Sequence, residues 1–172
     1  MTGFIPFTAF SLSDTTGEDL TADPAAPAEP PPLIEVARGM GVPVTYIPSD
    51  LYDGWGSYAI KRETITLASP AEGTFFHELA HHVHGLVLAE KGRKIIPGQH
   101  ALQEVTAELS AAVLCKLVGR EPGERMGTSY QYIRGYAEKA DMTVSDAIKA
   151  VLEDVEKILE IVMEWPMANR DQ

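Results

Sequence analysis

Two histidines four positions apart constrain the fold of this sequence more than any other feature. His77 and His81 stand in the segment HELAH at residues 77–81, directly after two phenylalanines. On an α-helix, residues four apart lie nearly one above the other, so a helix here would aim both imidazoles at one point. A zinc ion accepts such nitrogen ligands at about 2.0–2.1 Å. The spacing therefore predicts a helix that carries two ligands of one metal ion.

Glu78 adds the chemistry of a hydrolase to this pair. It follows His77 by one step round the predicted helix, so its carboxylate would lie beside the metal rather than on it. A carboxylate in that place can take a proton from water and pass it to a leaving amine. The segment matches the zinc-metallopeptidase motif, and Glu78 is the predicted catalytic residue. The alternative is a pair of surface histidines on one helix, without any ligand.

The third ligand has to come from another part of the chain. One class of zinc peptidases places a third histidine in the pattern HExxHxxGxxH, but here His84 stands at the glycine and Val87 at the last histidine. That class is therefore excluded. His84 also lies too far along the helix axis to share a tetrahedral ion with His77, and His82 points to another side. A carboxylate from a second helix remains.

Glu104 and Glu108 lie four positions apart on one face of a predicted helix and are the candidates for this carboxylate. We assign Glu104 to the metal. We place Glu108 behind a ligating histidine, where it could orient the ring through its other nitrogen. On the sequence, the reverse assignment stays open. The expected cofactor is Zn²⁺ held by His77, His81 and Glu104, although other divalent ions also suit such a site.

Charge and composition exclude several classes of function. The 172 residues fit a single domain, and the formal net charge is -11. An acidic surface repels phosphate backbones, so we expect no direct nucleic-acid binding by this chain. No apolar run approaches the roughly 20 residues of a membrane span, and no signal peptide is visible. We expect a cytoplasmic protein that does not associate with membranes.

Proline and alanine dominate residues 22–32 (ADPAAPAEPPP), a composition that cannot build a core. We expect residues 1–32 to form an extended N-terminal segment with this Pro-rich linker, and residues 33–172 to form the folded domain. Within the domain, β-branched and aromatic runs predict three short strands, at 42–48, 58–60 and 64–67. Helical periodicity and capping residues predict five helices, at 33–40, 69–91, 102–118, 128–140 and 143–165.

The predicted class is α+β, with a small antiparallel or mixed sheet packed on the HExxH helix and on the Glu-bearing helix, and with further C-terminal helices. Ser69 as N-cap, Pro70 in the first turn and Glu72 form the expected start of the HExxH helix. Pro166 is the expected end of the last helix. In zinc peptidases an edge strand before the motif pairs with the substrate backbone, and residues 64–68 are the candidate for it.

Two stretches resemble the C-terminal zincin-like metallopeptidase domain of ArdC-type antirestriction proteins. They are residues 75–81 (FFHELAH) and 103–115 (QEVTAELSAAVLC). The spacing of the histidines and glutamates also resembles gluzincins generally, including regulatory proteases of the ImmA/IrrE type. The resemblance implies a zincin-like fold and a gluzincin-like site, in which Glu104 is the metal ligand and Glu108 its neighbour.

The same family carries an N-terminal domain that binds single-stranded DNA. This sequence has only a counterpart of the segment that joins the two domains, at residues 10–20 (FSLSDTTGEDL). DNA binding and antirestriction activity are therefore not expected of this chain alone. The resemblance leaves open an association with a separate single-stranded-DNA-binding domain.

The sequence supports three hypotheses on function. The leading one is a zinc metalloendopeptidase that acts on a protein or peptide substrate, with Glu78 as general base. The oxyanion that forms on the substrate during this reaction would need a tyrosine or histidine as hydrogen-bond donor. Four residues are candidates: Tyr130, Tyr132, Tyr136 and His100. The second hypothesis is a non-catalytic, acidic, metal-containing antirestriction module that mimics DNA. The third is a regulatory protease specific for one partner protein.

Overall fold

Five helices and three strands make up the part of the chain that this computed structural model describes, namely residues 27, 29–52, 54–120 and 125–168. Their order is α1 (Ile34–Gly39), β1 (Val44–Tyr46), a 3-10 turn (Ser49–Leu51), β2 (Gly56–Ala59), β3 (Thr64–Leu67), α2 (Glu72–Glu90), α3 (Ala101–Leu117), α4 (Arg125–Lys139) and α5 (Val144–Ala168). The predicted α+β class is therefore confirmed. The predicted segment 1–32 lies largely outside the described residues. None of the described helices combines the length and the apolar content that crossing a membrane requires.

The sheet has the strand order β1–β3–β2, with β1 parallel and β2 antiparallel to β3. In the antiparallel pair, Ser57 of β2 lies opposite Thr66 of β3. The prediction that residues 64–68 form an edge strand is therefore wrong. β3 lies in the centre, where the side chains of Ile65 and Leu67 are fully buried. The strand that borders α2 at the edge of the sheet is β2.

Two predicted helix ends are also wrong. Ser69 does not cap α2, which begins at Glu72 after Ala71. The Ser69 hydroxyl instead accepts a hydrogen bond from the Ala71 N–H at 3.2 Å, and this local bond competes with a helical start at the serine. α5 continues past Pro166 to Ala168, because a proline removes one N–H donor and bends a helix without having to end it.

The apolar face of α2 forms the centre of the core. Its largest buried residues follow the helical period: Phe75, Phe76, Leu79, Val83 and Val87. This stripe belongs to one cluster with buried residues of the sheet, α3 and α5, which together fix the rotation of α2. His77 and His81 then lie at the margin of the core, each partly exposed.

α3 packs against α2 in the opposite direction. His77, the earlier of the two histidines, contacts Glu108, the later of the two glutamates, whereas His81 contacts Glu104. The two helices therefore run antiparallel. Small residues of α3 are buried and permit this close approach: Ala107, Ser110 and Ala111. The two predicted residue pairs are thereby brought face to face.

The packing of α2 predicts a large loss of stability when Phe76 is truncated. Phe76→Ala leaves a cavity among fully buried side chains, so we expect the free energy of unfolding to fall by about 3–5 kcal/mol. Urea denaturation of the metal-free protein measures this change. Leu86→Ala on the same helix is the control, because Leu86 is 39 % exposed; its truncation should change stability by less than about 0.5 kcal/mol. Equal losses for the two variants would contradict the described rotation of α2.

Candidate metal centre

A cleft of about 650 Å³ opens between β2, α2, α3 and α4. The segment that connects α2 to α3 lines one side of it through Ile95, Ile96 and Gly98. The cleft collects the titratable side chains that the sequence predicts for the site: His77, Glu78, His81, Glu104 and Glu108. Two facing helices and one edge strand thus converge on one site.

Three of these side chains place one ligand atom each around a common point. His77 Nε2 lies 3.1 Å from His81 Nε2 and 3.4 Å from one carboxylate oxygen of Glu104. The other Glu104 oxygen is 3.7 Å from His81 Nε2. Ligand atoms of a tetrahedral ion with bonds of about 2.0–2.1 Å stand about 3.3–3.4 Å apart, and the distances of 3.1 and 3.4 Å from His77 Nε2 are close to this spacing. The three residues could therefore hold a metal ion.

Glu108 lies behind His77 rather than among the three ligand atoms. Its Oε2 is 3.1 Å from Nδ1 of His77, whereas Nε2 of the same ring faces Glu104. When the ring is neutral, Nδ1–H donates to the Glu108 carboxylate, which leaves Nε2 unprotonated and oriented towards the cluster. Glu104, and not Glu108, contacts both Nε2 atoms. The geometry therefore favours the assignment of Glu104 as ligand over the reverse one.

The electrostatic field at this cluster favours a cation. Burial opposes a charge on His77, but hydrogen bonds to Glu104 and Glu108 outweigh it and raise the pKa of His77 to about 10. Burial also disfavours the charged form of Glu104, yet the neighbouring imidazoles of His77 and His81 lower its pKa to about 2. None of the described residues that line the cleft is a lysine or an arginine. A divalent cation would satisfy this field and displace the imidazole protons.

Glu78 lines the cleft without belonging to the three-residue cluster. It is only 6 % exposed, and burial raises its pKa against the lowering effect of His77 and His81. The backbone N–H of Tyr58 in β2 also acts against this rise in the pKa. β2 can approach this closely because Gly56 has no side chain: a Cβ there would lie 3.1 Å from Oε1 of Glu78. The carboxylate is thus held beside the cluster, where it can transfer protons.

Two of the four residues expected to donate a hydrogen bond to an oxyanion reach the cleft. Tyr132 and Tyr136 of α4 line it, whereas Tyr130 and His100 are not among its described lining residues. Tyr136 is 6 % exposed, and burial followed by the charge of Glu104 raises its pKa to about 12. Its hydroxyl therefore keeps its proton at neutral pH and can donate.

Two further histidines of α2 are buried and bonded away from the cluster. His84 Nε2 lies 3.1 Å from Asp154 of α5, and His82 Nδ1 lies 2.9 Å from the hydroxyl of Tyr58. Sequence reasoning missed Tyr58 and Gly56 as parts of the site. The predicted strand at 58–60 was the only signal for Tyr58, because no local pattern indicates which helix a strand will meet.

The geometry predicts different metal affinities for two isosteric variants. Glu104→Gln removes a charged ligand and should abolish stoichiometric zinc binding. Glu108→Gln removes only the group behind His77 and should weaken zinc binding by roughly 10–100-fold. Competition with a chromophoric chelator, together with elemental analysis, measures both. Glu138→Gln, on an exposed position of α4, is the control and should bind zinc as the wild type does. If Glu108→Gln abolished zinc binding and Glu104→Gln only weakened it, Glu108 would be the metal ligand and Glu104 the residue behind it.

Comparisons with known proteins add no relative of this chain. Neither a protein-family model, nor a curated protein, nor a solved structure matches it. The resemblance to the ArdC-type domain therefore stays a prediction, and the geometry of the cleft carries the assignment of the site.

Proposed function

We propose that this chain is a zinc-dependent metallopeptidase that hydrolyses peptide bonds with Glu78 as the general base. One observation carries the proposal: a buried carboxylate, Glu78, shares the cleft with the three-residue cluster and is not part of it. A structural zinc site uses four protein ligands and has no need of such a carboxylate. Three protein ligands with a fourth position left to a small molecule are the arrangement of catalytic zinc sites.

Glu78 performs the proton transfers of this reaction. A bound zinc ion would supply Lewis-acid chemistry, which lowers the pKa of water so that a hydroxide nucleophile becomes available at neutral pH. Glu78 takes one proton of that water while the water oxygen bonds to the carbonyl carbon of the substrate. It then delivers the proton to the amide nitrogen as the C–N bond breaks, which yields a carboxylic acid and an amine. Burial raises the pKa of Glu78, and this suits a group that holds a proton between the two transfers.

Tyr136 is the proposed hydrogen-bond donor to the developing oxyanion. It lines the cleft together with Glu104, and the charge of Glu104 contributes to its raised pKa. A donor held in place by burial stabilises charge in the transition state without reorganising first. Tyr132, whose ring centroid lies 6.4 Å from that of Tyr136, is 46 % exposed and is the proposed contact for the substrate chain.

The walls of the cleft suit an extended peptide. Trp55 and Ile96 both line it, although they are 66 % and 50 % exposed. Large apolar side chains that stay exposed at a concave site are typical of a ligand-binding surface. Among the described strands β2 pairs with β3 alone, so we assign to its other edge, apart from the Tyr58 amide, the backbone pairing expected of residues 64–68. The proposed substrates carry a bulky apolar residue next to the scissile bond.

Glu78→Gln tests this function, because it removes the proton transfer and keeps the shape of the side chain. We expect the Glu78→Gln variant to bind as much zinc as the wild type and to hydrolyse peptides roughly 10²–10⁴-fold more slowly. The measurement uses zinc-loaded protein with a fluorogenic peptide library rich in Phe and Leu, and the metal content of the same samples. Glu90→Gln, at the exposed end of α2, is the matched control and should retain activity.

Three results would change the proposal. A wild-type protein that binds no stoichiometric metal would end it, and so would full activity of Glu78→Gln. Hydrolysis of one sequence out of the whole library would indicate the regulatory type of protease. A salt-sensitive complex with a DNA-binding enzyme, equally strong for Glu78→Gln and without hydrolysis, would favour the acidic binding module.

A further inference from the structure

Tyr58 and His82 form a bridge between β2 and α2 that the proton transfers do not use. His82 is 5 % exposed, and its Nδ1 lies 2.9 Å from the Tyr58 hydroxyl. The two rings meet edge to face with their centroids 5.4 Å apart. Burial lowers the pKa of His82 and raises the pKa of Tyr58 to about 12. In the tautomer of neutral His82 that carries its proton on Nε2, the phenol donates this hydrogen bond and Nδ1 accepts it.

The same tyrosine touches the general base through its backbone. The backbone N–H of Tyr58 opposes the rise in the pKa of Glu78, and Gly56, two residues earlier in β2, packs against that side chain. Glu78 and His82 stand four positions apart, so both lie on the face of α2 that meets β2. Successive turns of α2 thus contact β2, with Glu78 against Gly56 and His82 against the Tyr58 hydroxyl.

β2 needs such an attachment because it is short and lies at the edge of the sheet. It has four residues, and in the part of the chain that the structure describes it pairs with β3 alone. A strand with one partner opens more readily than a central strand. Each opening carries the Tyr58 amide away from Glu78, and a displacement of about 1 Å at a catalytic group can cost roughly 10²-fold in rate.

We propose that the Tyr58–His82 bridge positions the general base: it anchors β2 to α2 so that the Tyr58 amide orients the Glu78 carboxylate in the cleft. Tyr58 and His82 are positioning residues that act through Glu78. The catalytic consequence rests on the proposed peptidase function, whereas the orientation of Glu78 is a property of the metal-free chain. The two can therefore be tested separately.

Amide hydrogen exchange of the metal-free protein tests the anchoring without any activity. Tyr58→Phe keeps the ring and removes the donor, so we expect the amide of residue 58 to exchange roughly tenfold faster. The amide of Ala68, which donates to the Trp55 carbonyl at 2.8 Å between the strands, should keep its rate. Tyr130→Phe is the matched control, because it removes an exposed hydroxyl from α4 and should change neither rate.

The other partner of the bridge gives an independent check. His82→Leu removes the acceptor and should accelerate exchange at residue 58 as Tyr58→Phe does. His82→Asn places an amide oxygen near the position of Nδ1, so it should restore much of the protection. Unchanged exchange at residue 58 in both bridge-breaking variants would overturn the proposal. Equal acceleration at residue 58 and at Ala68 would also overturn it, because the bridge would then stabilise the whole hairpin rather than position one amide.

The zinc-loaded protein tests the catalytic consequence. We expect Tyr58→Phe to lower kcat about tenfold through misplacement of Glu78. Zinc content should stay unchanged, because the ligands lie on α2 and α3. In a Glu78→Gln background the same substitution should have no further effect, as for two residues that act as a unit. Additive losses would contradict the positioning role. If the wild type hydrolyses no peptide, the proposed peptidase function is refuted. The exchange rates alone then test whether the Tyr58–His82 bridge positions Glu78.

Discussion

The contact of His77 with two glutamates of α3 is the interaction on which the site depends. One imidazole meets Glu104 at Nε2 and Glu108 at Nδ1, at the margin of the core. Two carboxylates beside one partly buried ring are costly unless positive charge balances them, so helix packing and charge are coupled at this point. The apolar stripe of α2 holds the two helices together against that cost. The core therefore sets the shape of the cleft, and its margin sets the chemistry.

Helical spacing made the candidate site largely predictable, because residues four apart share a direction whatever surrounds the helix. The pair of His77 and His81 and the pair of Glu104 and Glu108 are local patterns of this kind. Their meeting is a long-range contact, and chemistry rather than periodicity predicted it: two histidines need a third ligand. The structure brings both pairs into one cleft. The α+β class followed in the same way from the alternation of helical and strand-like runs.

The order of the strands could not be predicted in this way. Residues 64–68 precede the motif and look like a strand, but their place in the sheet depends on β1, whose parallel pairing leaves no local signal. The start of α2 could not be predicted either, because the Ser69 hydroxyl accepts a hydrogen bond from the Ala71 N–H instead of capping the helix. The bond of Tyr58 with His82 depends on the register of β2 against α2, and neither residue type alone indicates it.

The residues of the ligand cluster come from two consecutive helices, α2 and α3. An ion bound among them would cross-link a helical hairpin and close the loop from His77 to Glu104 without help from the sheet. Closing a loop removes conformations from the unfolded chain, and binding to the folded state adds stability by mass action. The supply of the ion would then govern the lifetime of the protein against proteolysis as well as its chemistry. Scarcity of the metal would lower the abundance of the protein itself.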